Sequence, residues 1–333
     1  MRSRDRWQLP AAALLAAAAA AVWWRADLFT MELLAEVAIL AIFTMSLQLL
    51  VGVTGMVSLG HAGFLAAGAY TTAAATLFWG WPPAAALVLS VAVAALLAAA
   101  AGLFVIRLSG VFFIMITLAV GQMFHAFFFR AQRFGGDNGL AGTPRIDLAA
   151  LGLDSGAPGT FAAFALICAA LVYLLLLLVT RSPFGMMLGA IHQNESRLAS
   201  LGCPVRRYKL AAFTAAGAVA GVAGALTAQH TGFISPDLAF WTFSGEALII
   251  VILGGSGSLA GAAAGAAVFV LLRDLLSSGS FWSGLSLPPE LASHWQLFMG
   301  MLFIAVVLAA RDGLYGRLAW LIEALHTRRR ARR

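Results

Sequence analysis

PAAALVLSVAVAALLAAAAGLFVI, residues 83–106, decides the fold class of this chain. It contains no charged residue and exceeds the run of about 20 apolar residues that crosses a bilayer as a helix. Comparable segments lie near 9–24, 31–51, 60–79, 111–129, 161–180, 209–230, 243–254, 258–276 and 292–310. These runs are long and unbroken, whereas the strands of a membrane barrel alternate apolar and polar residues. We therefore predict an all-α polytopic integral membrane protein with about ten membrane-embedded helices.

The composition supports this prediction. The chain has 333 residues, of which 62% are hydrophobic and 11% charged, and its mean hydropathy is +0.92. A soluble domain carries roughly 25% charged residues. Segments 60–79, 243–254 and 258–276 are crowded with glycine or short, so we expect some of them to be broken or re-entrant helices.

Lysine and arginine predict the orientation. With both termini in the cytoplasm, the cytoplasmic side carries three of these residues in 1–8, one at Arg107, five in 181–209 and seven after 310, against four outside. This asymmetry follows the positive-inside rule. We expect a cytoplasmic tail at 1–8, a membrane domain at 9–310 with a cytoplasmic loop at 181–208, and a basic cytoplasmic tail at 311–333. The net charge of +7 then reflects topology, and no nucleic-acid partner is expected.

Residues 181–209, RSPFGMMLGAIHQNESRLASLGCPVRRYK, form the only long amphipathic, charged stretch between two apolar spans. Pro183 suits the first turn of a helix, and Gly202 followed by Pro204 ends one. Apolar residues between them recur at helical spacing, and Glu195 interrupts the stripe. The pattern predicts a short helix on the membrane surface, with an apolar face suited to a groove on a partner or resting on lipid.

Two glycine-rich stretches, residues 52–70 and 253–267, each follow an apolar run that carries an acidic residue, Glu36 or Glu246. Their loose likeness leaves an internal duplication open. Glycine at this density allows close helix packing, and broken helices also expose backbone groups to a polar solute. Thr54, Ser58 and His61 place polar groups at membrane depth, where they are costly and often functional.

Several classes of protein lack support in the sequence. It has no G-x-x-x-x-G-K-[ST] motif and one lysine, so it has no phosphate-binding P-loop. It has no metal-spaced Cys or His cluster and no G-x-S-x-G elbow, so we expect no enzymatic activity and no cofactor. A transporter is predicted, and its energy must come from an ion gradient or from another subunit.

Four ordered blocks resemble the LivM/LivH-type permeases of bacterial ABC importers for branched-chain amino acids. They are GVTGMVSLGHAGFLAAGAY from Gly52, the segment ending in GGDNGL at Leu140, residues 181–236 with RSPFG, YKLAAF and FISP, and LGGSGSLAG from Leu253. Asp312-Gly-Leu-Tyr-Gly resembles the C-terminal block of the family. The leading helix and the GGDNGL turn favour the LivM type. Val111 departs from the polar residue that many relatives carry there.

The resemblance implies a permease in the bacterial inner membrane that works with a second, LivH-type permease, two ABC ATPase subunits and a periplasmic binding protein. It also implies that the cytoplasmic loop holds a coupling helix that docks into the ATPase. The residues of this loop are Phe184, Gly185, Leu188, Ile191, Asn194, Glu195, Leu198 and Gly202. On this basis we hypothesise that Glu195 pairs with a basic residue of the ATPase. The candidate residues for the translocation path are Ser58, His61, Tyr70, Thr117, Gln122 and Glu246.

Alternatives remain open from the sequence. Related permeases take urea or short amides, so the substrate follows from kinship alone. An ion-coupled secondary transporter would use intramembrane carboxylate or histidine relays, for which Glu36 and Glu246 are the acidic candidates. A non-transporting scaffold or a membrane enzyme would need a constellation that the sequence does not contain.

Overall fold

The computed structural model describes residues 27–146, 158–284 and 293–309, together with isolated positions between 10 and 19 and at 313 and 316. The predicted segment 9–24 and the two predicted tails therefore lie largely outside the described residues. Within the described part, nearly all of the chain is helical.

The first half of the chain contributes α1 (Leu28–Gln48), which continues as a π-helix (Leu49–Thr54), then α2 (His61–Trp79), α3 (Pro83–Val105) and α4 (Val111–Arg130). Two short 3-10 turns (Gln132–Phe134 and Gly136–Asn138) and the strand β1 (Leu140–Ala141) follow.

The second half begins with α5 (Pro158–Arg181), α6 (Pro183–Gln193), α7 (Glu195–Ser200) and α8 (Val205–Thr231). The strand β2 (Phe233–Ile234) and a 3-10 turn (Pro236–Ala239) precede α9 (Trp241–Gly254), α10 (Leu259–Ser277), α11 (Gly279–Gly284) and α12 (Trp295–Ala309).

The prediction of an all-α polytopic membrane protein is confirmed. Six helical segments among the described residues are long and apolar enough to cross a membrane: Leu28–Thr54, Pro83–Val105, Val111–Arg130, Pro158–Arg181, Val205–Thr231 and Leu259–Ser277. The last of these coincides, within one residue, with the predicted segment 258–276. Of the three segments among which we expected broken or re-entrant helices, 60–79 forms the continuous helix α2 from His61 onwards, and 243–254 lies in the short α9. The predicted number of about ten membrane-embedded helices stays a prediction, since it rests on segment length alone.

The interior of the bundle is built around α2 and α8, and α8 packs most extensively against α3 and α2. Where α8 crosses α2, a methyl group on Gly224 would overlap with the backbone oxygen of Leu65, and one on Gly68 would meet the oxygen of Gly221 at 2.5 Å. Small residues permit this backbone contact, which is a main source of helix association in membranes. Glycine in α8 therefore sets how closely the central helices approach.

The outer helices expose apolar faces. Only 22% of the most apolar stretch of α4 and 28% of those of α3 and α5 are buried, compared with 72% for α1 and 61% for α8. Large side chains such as Leu96 and Phe112 are about 70% exposed on these outer faces. Because apolar groups belong in hydrocarbon, these surfaces are suited to lipid or to another membrane subunit.

The two ends of the bundle are built differently. At one end, which we call the strand end, β1 and β2 pair in antiparallel register, with Leu140 opposite Ile234. Arg145 continues this end by donating to Glu32 at 3.0 Å and to the carbonyl oxygen of His230 at 3.2 Å. The opposite end, which we call the α6–α7 end, contains α6, α7 and the connection at residues 106–110.

The contact at Gly224 generates a test of the packing. We expect Gly224→Ala to lower the stability of the purified protein by about 1–3 kcal/mol, because the added methyl must displace backbone on α2. Thermal unfolding in detergent measures the change. Gly300→Ala is the matched control, because a methyl there meets no atom within 4 Å among the described residues. Equal melting temperatures for the two variants would contradict this account of the helix crossing.

Candidate functional site

A helix break separates the π-helix that ends α1 from α2. The π-helix that ends α1 stops at Gly55, whose φ of 74° is the left-handed conformation favoured by glycine. The chain remains non-helical until α2 starts at His61. At Gly60 a methyl group would overlap with the carbonyl oxygen of Thr117, so this stretch lies directly against α4. The sequence expectation of a break beside Ser58 and His61 agrees with this geometry.

Buried polar side chains surround the break, and we call them the polar seam: Ser46, Ser58, His61, Thr117 and Ser244. The ring atom Nε2 of His61 lies 2.8 Å from Oγ of Ser46. The backbone N–H of Leu59 donates to Oγ1 of Thr117 at 3.2 Å, and that of Ala62 donates to Oγ of Ser244 at 2.8 Å. The seam therefore satisfies N–H groups that the break leaves without helical partners.

Two seam atoms have no such partner. Oγ of Ser58 and Nδ1 of His61 are buried and form no hydrogen bond with any described residue. Most buried polar groups in proteins are hydrogen-bonded, so an unpaired one calls for an explanation. Both atoms belong to residues that the sequence assigned to a path for solute.

The structure brings together three of the predicted path residues and leaves the other three elsewhere. Ser58, His61 and Thr117 share the seam. Tyr70 stacks on Phe128 with ring centroids 4.0 Å apart, away from the seam. Gln122 is half-buried on α4. All six predicted path residues lie in apolar stretches of the sequence. Such stretches do not show which of these residues are close together in the folded chain.

Glu246 lies on α9, outside the seam. It is half-buried and within electrostatic range of Arg273 and Glu36. Those two residues form an ion pair that joins α10 to α1. One of the two acidic candidates for an ion relay, Glu36, therefore already has a cationic partner inside the chain.

Sequence reasoning missed Ser46 and Ser244. Each is a single hydroxyl in an otherwise apolar helix, and serine there commonly bonds to its own helix, as Oγ of Ser46 also does with the carbonyl oxygen of Phe43. Only the proximity of α1, α2 and α9 in the folded chain gives them a role in the seam.

The two glycine-rich stretches meet each other. Nε2 of Gln48, the last residue of α1, donates to the carbonyl oxygen of Ser256, in the break between α9 and α10. A methyl group on Gly52 would overlap with the same oxygen. Each stretch thus forms a helix, a break and a second helix, and the π-helix before the first break packs against the second break.

The loop at residues 181–208 differs from the sequence prediction of one helix. Asn194 has extended backbone (φ −160°, ψ 93°), and it separates α6 from α7. Its side-chain oxygen accepts from the N–H of Arg197 at 3.0 Å and so caps the start of α7. The predicted limits are confirmed, since Pro183 is the first residue of α6 and Gly202, with φ of 80°, follows the end of α7.

The predicted apolar face of this loop also requires correction. Leu188 is 0% exposed and Ile191 3% exposed, and both belong to the hydrophobic core of the chain itself. Gly185 is buried as well, and Phe184 stacks on Tyr208 of α8. The stripe packs inward because α6 lies across α5, α8 and the π-helix. It is not available to a groove on a partner.

Glu195 has a partner within the chain. Nζ of Lys209 lies 3.0 Å from both carboxylate oxygens of Glu195. The lysine side chain is 4% exposed and the glutamate side chain 44% exposed. The carboxylate that the sequence assigned to a basic residue of an ATPase is therefore already paired, and the pair ties α7 to the first turns of α8.

An open cleft of about 230 Å³ lies at the α6–α7 end. It is lined by residues 54–57, by 108–110 with Phe113 and Ile114, and by 191–195 with Lys209. A second, smaller space lies at the seam, lined by Ser58, Gly60, Phe64, Val105, Thr117, Val120 and Phe213, and it has no room for a water molecule. Among the described residues no group of three or more His, Cys, Asp or Glu side chains could hold a metal ion.

A helical, multi-pass chain with a broken helix and a buried polar seam has the architecture of a membrane transporter. Residues 29–307 match the family described as "Branched-chain amino acid transport system / permease component", and the chain belongs to this family as a LivM-type permease.

Two relatives illustrate the similarity. The chain is 32% identical over 287 residues to the high-affinity branched-chain amino acid transport system permease protein LivM of Escherichia coli (strain K12), an alignment that covers 78% of this chain and 66% of the relative. It is 32% identical over 275 residues to the protein of the same name from Salmonella typhimurium (strain LT2), covering 74% of this chain and 63% of the relative. The chain thus spans slightly less than two thirds of each relative. No solved structure matches it.

The ion pair of α7 and α8 generates a prediction. Glu195→Ala should lower stability by about 1–3 kcal/mol, because it leaves a buried ammonium without its charged acceptor. In the double variant Glu195→Ala/Lys209→Met the charge is gone as well, so we expect most of that loss to be recovered. A double-mutant cycle of melting temperatures, completed with Lys209→Met, measures the coupling. Additive effects of the two substitutions would show that the pair contributes nothing.

Proposed function

We propose that this chain is one membrane subunit of an ABC importer for branched-chain amino acids or similarly small, apolar amino acids. Two separate ABC ATPase subunits would supply the energy, a LivH-type permease would be the second membrane subunit, and a periplasmic binding protein would deliver the substrate. The observation that carries the proposal is the family match over residues 29–307, joined to a polar seam at a helix break. The absence of a P-loop from the sequence is consistent with energy from another subunit.

The location that we propose is the bacterial inner membrane, and the distribution of charge supports an orientation with the α6–α7 end and both termini in the cytoplasm. Among the described residues, the α6–α7 end carries Arg107, Arg181, Arg197, Arg206, Arg207 and Lys209, whereas the strand end carries Arg130, Arg133 and Arg145. Positive residues accumulate on the cytoplasmic side of membrane proteins.

The docking surface that we propose for the ATPase is shifted from the apolar stripe towards α7. Asn194, Glu195 and Gly202 are exposed and Leu198 is half-exposed, whereas Leu188 and Ile191 face inward. Leu201, at the end of α7, has 74% of its surface exposed. An exposed apolar side chain on a short helix can enter an apolar groove on a partner.

The seam is compatible with an amino acid as solute. Hydroxyl groups and one imidazole provide hydrogen bonds, and Phe43 and Phe64 lie beside His61 with ring centroids 5.4 Å and 5.9 Å away. A binding site for a small molecule commonly combines apolar walls with a few polar groups. Urea or a short amide would use the same hydroxyl groups, so the choice among these solutes requires an uptake assay.

The first test is binding of the ATPases. The chain is co-expressed with the P-loop ATPases encoded beside it and purified by an affinity tag, as wild type and as Leu201→Glu. We expect Leu201→Glu to weaken ATPase binding by about tenfold or more, because a charge in an apolar pocket is costly. Leu28→Glu is the matched control, since this leucine is 69% exposed at the start of α1 on the strand end.

The outcomes separate the hypotheses. Loss of binding in Leu201→Glu alone would support docking through α7. Binding unaffected by Leu201→Glu would contradict docking through that residue, and a wild-type chain that retains no ATPase would contradict the importer.

Uptake of labelled leucine by the reconstituted complex, with urea and acetamide as competitors, then tests the solute. In the binding test, Leu201→Glu is preferable to a charge reversal at Glu195. Glu195→Arg would place an arginine against Lys209 and break the ion pair, whereas Leu201→Glu leaves that pair intact.

A further inference from the structure

Two spaces lie one after the other along the non-helical stretch between α1 and α2. We call the open space at the α6–α7 end the cleft and the closed one at the seam the chamber. Residues 54–57 line the cleft, and Ser58 and Gly60 line the chamber. The same few residues of backbone therefore pass from one space directly into the next.

Two phenylalanine rings stand between these spaces. Phe113 of α4 lines the cleft, and Phe213 of α8 lines the chamber. Their ring centroids are 6.2 Å apart in an edge-to-face arrangement, and Phe64 packs edge-on against Phe213 at 5.5 Å. The three side chains are 3% or less exposed, so the rings are buried where they meet.

The chamber contains an unsatisfied polar group. Oγ of Ser58 is fully buried, lines the chamber and forms no hydrogen bond with any described residue. A buried hydroxyl without a partner costs free energy. That cost is offset in any state in which the chamber widens and a solute or water bonds to Ser58.

We propose that Phe113 and Phe213 form a gate that separates a solute-binding chamber at Ser58 and Thr117 from the cleft. The proposal rests on the proposed function in treating the cleft as the cytoplasmic exit. The solute class that suits the chamber is a small aliphatic molecule with a group that hydrogen-bonds to hydroxyls, such as an amino acid. Opening requires the two rings to part, which joins the chamber to the cleft.

The two rings lie on elements linked to the α6–α7 end. Phe113 is in the first turn of α4, just after Gly110, which has φ of 59° and no atom of a described residue within 4 Å of the position of a methyl group. Phe213 lies one helical turn after Lys209 on α8. The Glu195–Lys209 pair thus links α7, where we propose that the ATPase docks, to the helix that carries one half of the gate.

Thiol labelling tests the gate without substrate or ATPase. Ser58→Cys is introduced into the full chain with Cys168→Ser and Cys203→Ser, and membrane vesicles are treated with a small, membrane-impermeant methanethiosulfonate. We expect slow labelling with the gate intact. Phe113→Ala or Phe213→Ala should raise the labelling rate from the side of the cleft by about tenfold, the effect of about 1.4 kcal/mol on a two-state equilibrium.

Three controls make the result specific. Ser109→Cys, which lines the cleft, identifies the vesicles in which the cleft faces the reagent and should label at the same rate in every background. Phe269→Ala removes a ring that is 3% exposed, like Phe113, but packs against Phe303 and lines neither space, so it should leave labelling of Ser58→Cys unchanged. Phe113→Trp fills more space and should slow the labelling.

Either of two results would overturn the gate. One is labelling of Ser58→Cys in the unaltered gate as fast as that of Ser109→Cys. The other is a rate that does not respond to Phe113→Ala, or to the milder Phe113→Leu if the alanine variant does not fold. If instead the labelling behaves as expected but the complex takes up no amino acid, the proposed solute is wrong while the proposed gate is still supported.

Discussion

Contact between backbones without intervening side chains is the constraint on which this structure depends. At Gly60 the non-helical stretch touches α4, at Gly52 the π-helix touches the break between α9 and α10, and at Gly224 the two central helices cross. A methyl group at any of these positions would overlap with a carbonyl oxygen. Helices in a membrane gain little from apolar burial against each other, since lipid is equally apolar. Close packing of this kind therefore determines which helices are neighbours.

The close contacts bring polar groups together in the interior. Around the break, hydroxyl groups of α1, α4 and α9 contact the ring of His61 or accept from the backbone N–H groups of Leu59 and Ala62. Unpaired backbone is tolerated at membrane depth where it is buried in protein in this way. The same arrangement leaves Ser58 without a partner, and the chamber next to it is closed by aromatic rings. The hydroxyl groups that stabilise the break and the site that we propose for a solute thus lie in one small region.

The α6–α7 end shows how far sequence reasoning reached. It predicted where this loop begins and ends, because Pro183 and Gly202 act through the local backbone. It was wrong about the direction of the apolar stripe, since Leu188 and Ile191 pack into the chain's own core. A helix that lies on its own protein and one that docks into a partner have the same amphipathic pattern. Lys209, fourteen positions after Glu195 on another helix, could not be identified as its partner by spacing.

By itself, the sequence determined the helical class, the limits of the six long apolar helices within a few residues and the family, because hydrophobic length, capping residues and ordered motifs are local or linear properties. Tertiary structure alone decided that Ser46 and Ser244 join His61 and Ala62, that Tyr70 and Glu246 lie outside the seam, and that Phe113 meets Phe213. The physical reason is that lipid-facing and protein-facing sides of these helices are both apolar. Which face of a helix points into the protein therefore depends on packing between segments that are distant in sequence. That packing is seen only in the folded chain.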